Sequence, residues 1–344
     1  MNLLVTGGAG FIGSNFVLYM LKQYEHIQIV NLDKLTYAGN LNNLHKVMND
    51  PRHTLIKGDI CDKVLVESVF EKYQIEGVIH FAAESHVDNS IKNPQVFIET
   101  NVLGTTILLE AARNYWMTNI GIYKEKFKHA RFHHISTDEV YGSLKENGYF
   151  TENTAYAPNS PYSASKASAD MIVRSYFQTY GMNVVTTNCS NNYGPMQHEE
   201  KLIPTIIRKA MALEKIPIYG NGENVRDWLY VMDHCHAIDK VFFSGRSGET
   251  YLIGGHNEMT NIEVSEVICD LLDKLMPDHE NKKKISSYRQ LITFVLDRPG
   301  HDFRYAIDDT KLRQEFGFQH KYKFEQGIDK TILYYLAKNI EVVS

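Results

Sequence analysis

The strand-like run Asn2–Thr6 passes directly into Gly7-Gly8-Ala9-Gly10-Phe11-Ile12-Gly13, and a helical pattern opens inside the glycines. This G-x-x-G-x-x-G turn constrains the chain more than any other feature. Glycine lets the backbone fold back tightly and removes the side chains that would hold another group away from it. At a helix start the free N–H groups and the dipole both favour negative charge, so the group such a turn suits is a pyrophosphate. A strand, a tight turn and a helix in that order also lead to crossover connections and a parallel sheet covered by helices on both faces.

The same rhythm continues through the first half. Apolar or β-branched runs at 2–6, 28–33, 54–57, 77–81, 131–136 and 183–189 read as buried parallel strands with helical patterns between them. The clearest helix starts at Ser160 as N-cap, takes Pro161 in its first turn and stops at Gly181. Past residue 189 the rhythm loosens into turns such as Tyr193-Gly194-Pro195 and Gly220-Asn221-Gly222, with helical patterns near 202–214, 261–275 and 324–338. The fold class expected is α/β, a Rossmann-type doubly wound parallel sheet with a smaller α/β substrate-binding lobe. Residues 1–188 read as the dinucleotide-binding domain, with the apolar segment 231–253 returning to it, and 189–344 mainly as the substrate-binding lobe. The lysine run 282–284 reads as a solvated loop.

A chain of 344 residues with 43% hydrophobic and 22% charged residues has enough apolar surface to fold without staples, and lies far from the disordered range. Its formal charge of -5 is too balanced for an electrostatic binder of nucleic acid or of a membrane surface. Cys61, Cys189, Cys235 and Cys269 form no C-x-x-C pair, which argues against a disulfide framework or a zinc ribbon. No apolar run approaches the ~18 residues of a membrane span, and the N-terminus enters a strand pattern at once. The expectation is a soluble, cytoplasmic protein.

Asp33 closes the second strand 20 residues after Gly13, where a carboxylate accepts hydrogen bonds from an adenosine ribose and repels a 2'-phosphate. That favours NAD over NADP, with Lys34 blurring the local charge. Asp59-Ile60 and Phe81-Ala82-Ala83 follow the third and fourth strands, at the carboxyl ends where open α/β sheets bind ligands. Tyr162 and Lys166 are four apart on one helix and share a face. A phenol titrates near ~10, so a base working near neutrality needs about 3 units of downward shift, which a nearby ammonium and a nicotinamide cation can supply. Thr137, Asp138 and Glu139 follow the fifth strand at the same sheet edge, and two acids in different surroundings can divide acid and base work between them. His234-Cys235-His236 lacks a fourth ligand and metal-site spacing, so no metal is expected. Of His133 and His134, at least one is expected to be a packed core ring.

These motifs, with Asp33 to Asn40, Ala82-Ala83-Glu84-Ser85-His86-Val87-Asp88, Asn188 to Pro195, Arg226-Asp227-Trp228 and Asp297 to Asp302, resemble the extended short-chain dehydrogenase/reductases. The narrower resemblance is to the dTDP-glucose 4,6-dehydratase family of deoxysugar (rhamnose-type) nucleotide biosynthesis. It runs from residue 1 to about 335, and the Asp-Glu pair after Thr137 separates dehydratases from epimerases.

The resemblance implies a cycle of C4 oxidation, water elimination across C5 and C6, and C6 reduction, with NAD recycled. Tyr162 takes the O4 proton, Thr137 bonds that oxygen and Lys166 holds the phenolate and ribose. Glu139 is the C5 base and Asp138 the acid at the C6 hydroxyl. It also implies NAD contacts at Gly7, Gly10, Phe11, Ile12, Gly13, Asp33, Lys34, Leu35, Thr36, Asp59, Ile60, Phe81, Ala82, Ala83, Ser85, Thr100, Tyr162, Lys166 and Asn192. The nucleotide sugar would be held by Ser85, Thr137, Asn191, Lys201, Leu202, Pro217, Ile218, Tyr219, Arg226, Asn261, Asp297, Arg298, Pro299, Gly300 and His301. The guanidinium forks of Arg226 and Arg298 suit a diphosphate, though either could be a structural ion pair. A homodimer formed through segments 94–115 and 160–180 is implied as well. The alternatives are a nucleotide-sugar 4-epimerase or decarboxylase sharing C4 oxidation, or a non-catalytic dinucleotide sensor.

Overall fold

The computed structural model describes every residue except Asp278, Arg298 and Ser344; the side chains of 282 and 339–343 also lie outside the description. In the first half the strands are β1 (Asn2–Thr6), β2 (Gln28–Asp33), β3 (His53–Lys57), β4 (Gly77–His80), a small hairpin of β5 (Met117–Asn119) and β6 (Ile122–Tyr123), β7 (Arg131–Thr137) and β8 (Val184–Cys189). The second half adds β9 (Asn191–Tyr193), β10 (Ile216–Tyr219), β11 (Val225–Tyr230), β12 (Thr250–Ile253), β13 (Glu258–Thr260) and β14 (Ile292–Val295).

The central sheet has seven strands in the order β12-β8-β7-β4-β1-β2-β3, every pair parallel. Its strands are buried nearly throughout, which is why they read as unbroken apolar runs rather than as alternating ones. One face packs against the helices Phe11–Gln23 and Val231–Ser244 through Phe16, Val17, Met20, Val241 and Phe242. The other packs against Lys63–Tyr73, Thr105–Trp116 and Pro161–Tyr180 through Phe70, Leu108, Leu109, Val173 and Tyr176. The result is the three-layer, doubly wound α/β architecture.

Local chemistry sets the helix that positions the site. Ser160 and Ser163 cap each other reciprocally, Ser163 N–H donating to Ser160 Oγ and Ser160 N–H to Ser163 Oγ, both at 3.0 Å. Gly181, at φ +66°, closes the helix in the left-handed conformation. A cap of this kind contributes roughly 1 kcal/mol.

Several local expectations need correction. The fourth strand ends at His80 rather than at residue 81, and the fifth runs on to Thr137. The segment 94–115 is not one regular helix: Pro94–Phe97 leads into a π-helical stretch, Ile98–Gly104, before Thr105–Trp116. The lysine run needs no such correction: it lies in and just after the short 3-10 turn Glu280–Lys283, with Lys283 and Lys284 exposed as a solvated loop requires.

The second half builds two further small sheets. β11 pairs with β13 antiparallel and with β9 parallel, and β10 pairs with β14 parallel. The helices Leu202–Met211 and Asn261–Leu275 cover them.

Candidate active site

A cavity of ≈ 310 Å³ opens along the carboxyl ends of β1, β2, β4, β7 and β8. Strand order reverses there between β1 and β4, and open α/β sheets place their ligands at such a switch point. A Cβ on Gly13 would lie 2.3 Å from the Gly7 carbonyl oxygen, and one on Gly7, at φ +72°, would lie 2.7 Å from the Ala82 nitrogen. The turn is therefore closed to side chains. Gly10 is the N-cap and offers no side-chain cap, and no acidic residue occupies the first helical turn. An anion meets only backbone and the positive end of the helix dipole.

Asp33 lines the same cavity, its carboxylate accepting from Ala9 N–H and Leu35 N–H, both at 2.8 Å. These bonds tie the glycine turn to the end of β2 and leave further lone pairs for a ribose. The charge of Lys34 is taken up by Asp59 at 2.7 Å, so it does not compete for Asp33. Opposite, Thr6 Oγ1 bonds the buried His80 ring at 2.7 Å and accepts from Ala82 N–H at 3.3 Å, fixing the end of β4. These residues fit a dinucleotide: a cradle without side chains for the pyrophosphate and a carboxylate one strand over for the ribose.

The chemistry-bearing residues line the same space. Thr137 ends β7, and Asp138 and Glu139 begin the 3-10 turn Asp138–Tyr141. Asp138 is 1% exposed; its Oδ1 accepts from the Thr137 hydroxyl at 3.3 Å, while Oδ2 has no hydrogen-bond partner among the described residues. Burial, then the charges of Glu139 and Asp227, push this carboxyl well above the usual carboxylate range, against smaller downward pulls from Arg226 and Thr137. Asp138 is thus held as a neutral acid with a proton to give.

Tyr162 is buried beside them, next to Thr137. Burial and the charge of Glu139 push its phenol upward, opposite to the shift a base at neutrality needs. Lys166 is also buried; its Nζ donates to the Ile135 carbonyl at 2.8 Å, and burial brings the ammonium down to about 8.

Beneath Lys166 lies a polar network that sequence reasoning missed. His134 Nε2 lies 3.1 Å from Asp170 Oδ1, and Asp170 Oδ2 accepts from the Tyr156 hydroxyl at 3.0 Å and from Asn188 Nδ2 at 3.1 Å. Both His133 and His134 are fully buried, in line with the expectation of a packed ring.

Of the NAD contacts implied by resemblance, all but Leu35 line the cavity; Leu35 packs against the core instead, at φ +55°. Thr100 reaches it from the π-helical stretch. Asn192 is fixed by His234, whose Nδ1–H donates to its Oδ1 at 2.8 Å, so the histidine positions an amide. The sugar-nucleotide set is more dispersed. Ser85, Thr137, Asn191 and Lys201 line the cavity, and Lys201 Nζ donates to the Ser85 carbonyl at 3.2 Å. Leu202, Pro217, Tyr219, Asn261, Asp297, Pro299, Gly300 and His301 lie outside its wall, and Ile218 is buried in the core. Arg298 lies outside the described residues. Arg226 is buried, with its guanidinium 4.4 Å from the Tyr305 ring centroid and donating to the carbonyls of Val225, Asp302 and Phe303.

Sequence reading also missed Gln197, His198 and Glu200, which line the cavity from an irregular loop with no periodic signal. Asn101 had none either. Its side chain clamps both Glu84 backbone groups and donates to Ser165 Oγ at 2.8 Å, joining the cavity wall to the helix that carries Tyr162 and Lys166.

Comparison with known proteins agrees with this geometry. The family model described as GDP-mannose 4,6 dehydratase matches residues 4–331. A dTDP-glucose 4,6-dehydratase from Xanthomonas campestris is 55% identical over 97% of this chain and 93% of its own length. The crystal structure of a dTDP-glucose 4,6-dehydratase from Bacillus anthracis in complex with NAD has a TM-score of 0.84 at 47% identity, covering 99% of this chain and 98% of that one. A Streptomyces venezuelae dTDP-glucose 4,6-dehydratase with NAD bound gives a TM-score of 0.87 at 43% identity, covering 98% of each chain. The chain belongs to the GDP-mannose 4,6 dehydratase family, among the extended short-chain dehydrogenase/reductases, in company with the dTDP-glucose 4,6-dehydratases.

Proposed function

We propose that this chain converts dTDP-glucose to dTDP-4-keto-6-deoxyglucose and water, using NAD held in the cavity. The observation that carries the reading is the pair after β7: Asp138, buried, favoured in its neutral form and with one oxygen lacking a hydrogen-bond partner among the described residues, beside Glu139 in the same cavity wall. An epimerase needs no acid to expel a hydroxyl; a dehydratase does.

NAD, when bound, would supply a hydride acceptor for C4, a hydride donor for C6 and a positive charge that would favour the phenolate of Tyr162. Within the chain, Tyr162 takes the O4 proton and the neighbouring Thr137 bonds that oxygen. Lys166, charged below about 8, holds the phenolate and a ribose hydroxyl while the Ile135 carbonyl anchors it. Oxidation at C4 acidifies the C5 hydrogen. Glu139 removes that proton, and Asp138 gives its own to the departing C6 hydroxyl, so water leaves with a balanced charge. A proton returned to C5 by Glu139 completes the 6-deoxy product.

In this reading residues 1–188 with 231–253 form the NAD lobe, and the rest of 189–344 mainly the sugar-nucleotide lobe. The pairing of β12 with β8 supports the return of that segment. A homodimer closes over the exposed apolar residues Ile98, Leu103 and Met171 of the segments 94–115 and 160–180. The cytoplasm is the compartment in which the free Cys61, Cys189, Cys235 and Cys269 stay reduced.

The test is product analysis of the purified chain with dTDP-glucose. A 4-keto-6-deoxy sugar nucleotide is expected, without net cofactor reduction. A 4-epimer that keeps its C6 hydroxyl, or no turnover, contradicts the reading.

A further inference from the structure

Away from the cavity, three side chains converge that the reaction does not use. His256, Asp309 and His320 bring one ligand atom each within 4.8 Å of one another. They come from separate segments: the turn between β12 and β13, the residue ahead of the helix Thr310–Phe316, and the turn ahead of the helix Phe324–Val343. Asp309 is fully buried. Its Oδ1 accepts from His256 Nε2 at 2.8 Å and from Arg313 Nε at 2.7 Å, but its buried Oδ2 has no hydrogen-bond partner among the described residues. Buried carboxylate oxygens are rarely left so.

The histidines are prepared in a way that packing alone does not require. His320 Nε2 lies 2.7 Å from the Gly254 carbonyl, which can only accept, so Nε2 carries the proton and the lone pair sits on Nδ1. Metal-binding histidines use this arrangement, one nitrogen on a carbonyl and the other on the ion. His256 stands at φ +55°, a left-handed conformation uncommon outside glycine. The carboxylates of Asp227 and Asp233 lie within electrostatic reach of His256 and His320 respectively, offsetting added positive charge.

We propose that His256, Asp309 and His320 form a binding site for one divalent cation of the zinc type, with its fourth position open to water. Two imidazole nitrogens and a carboxylate oxygen suit zinc, which takes them at about 2.0–2.2 Å in tetrahedral geometry. The ligands therefore draw inward on binding. Arg313 keeps Oδ1, Oδ2 takes the ion, and His256 gives up its hydrogen bond to Asp309 to present a lone pair. The ion cross-links the C-terminal segment to the loop whose Gly255 and Asn257 N–H groups hold Asp227 at 2.6 and 2.8 Å. Its role is structural, and it does not depend on the dehydratase reading.

The test uses the full chain, stripped with a chelator and titrated with zinc chloride. One ion per chain is expected, with a rise in melting temperature that the chelator reverses, and cobalt(II) in its place gives the intense visible bands of a four-coordinate site. His256→Asn, which suits the left-handed backbone, and His320→Gln each weaken binding by more than the roughly 10–100-fold that loss of an outer-shell partner costs, with circular dichroism and NAD content unchanged. Absence of saturable binding and of the cobalt bands in the unaltered chain overturns the proposal whether or not the variants fold. Binding that persists at full strength in both variants places the ion elsewhere and overturns it too.

Discussion

The Thr137 hydroxyl donates to Oδ1 of Asp138 at 3.3 Å, and the other oxygen of that carboxyl, also buried, meets no hydrogen-bond partner among the described residues. An acid so placed is oriented by its neighbour and free to give its proton in one direction. Asp138→Asn keeps the shape and removes the acid. Turnover should fall on the order of 10²–10⁴-fold, while the rapid rise in reduced-nicotinamide absorbance at the start of a single turnover, which reports C4 oxidation, survives. Loss of that early phase as well would place Asp138 in the oxidation step instead.

Glu139 should divide the reaction at the next point. Glu139→Gln leaves a similar side chain that cannot take a proton, so incorporation of solvent deuterium at C5 should drop by roughly 10²–10⁴-fold with C4 oxidation nearly intact. Mass spectrometry of sugar nucleotide recovered from deuterium oxide measures it. Undiminished exchange would assign the C5 base to another residue.

The glycine cradle gives a steric prediction. Gly13→Ala drives a methyl group to 2.3 Å from the Gly7 carbonyl oxygen, which is backbone and cannot swing aside. Overpacking of this kind costs about 1–3 kcal/mol or more, and the forced shift falls where a pyrophosphate would lie. The variant should purify without bound cofactor and melt at a lower temperature; retention of full NAD content would contradict the assignment of the cradle.

Acid should unfold the protein through its buried histidines. Burial lowers the His134 ring from an ordinary 6.5 to about 4 and the His234 ring to about 3. Between those values and 6.5 the unfolded chain binds more protons than the folded one, so stability rises with pH across that window. It is fully present above 6.5 and is lost as pH falls toward 4. Urea unfolding at several pH values should show this slope, and His134→Gln should flatten it.

What was legible in the chain was what is local. Ser160, Pro161 and Gly181 bracket the catalytic helix because caps are made by neighbours in sequence, and the helix Asn261–Leu275 begins where a reciprocal Thr260–Glu263 cap puts it. The glycine turn, Asp33 and Thr137 to Glu139 all follow or end strands, so one parallel sheet brings them to one edge, and the helix Pro161–Tyr180 lays Tyr162 and Lys166 against it. The short strands β9, β10, β13 and β14 gave no periodic signal. β10 pairs with β14 from Ile216 to Ile292, a partnership that no window of sequence contains. The burial of Arg226 against Tyr305 and the His134–Asp170 pair under Lys166 arise the same way, from chains that meet only on folding. The upward push on the Tyr162 phenol was hidden for a related reason, because burial cannot be read from a spacing of four residues.

The central claim is that one bound nicotinamide carries a hydride from C4 to C6 of the same sugar, with water expelled in between. The measurement that reaches it most directly gives the purified chain dTDP-glucose bearing deuterium at C4, mixed with unlabelled substrate, and locates the label in the product. The account predicts deuterium at C6 of the same molecules that carried it at C4, with no crossover and no net reduced cofactor. Deuterium found at C4 of an epimer, or scattered into unlabelled molecules, would contradict it.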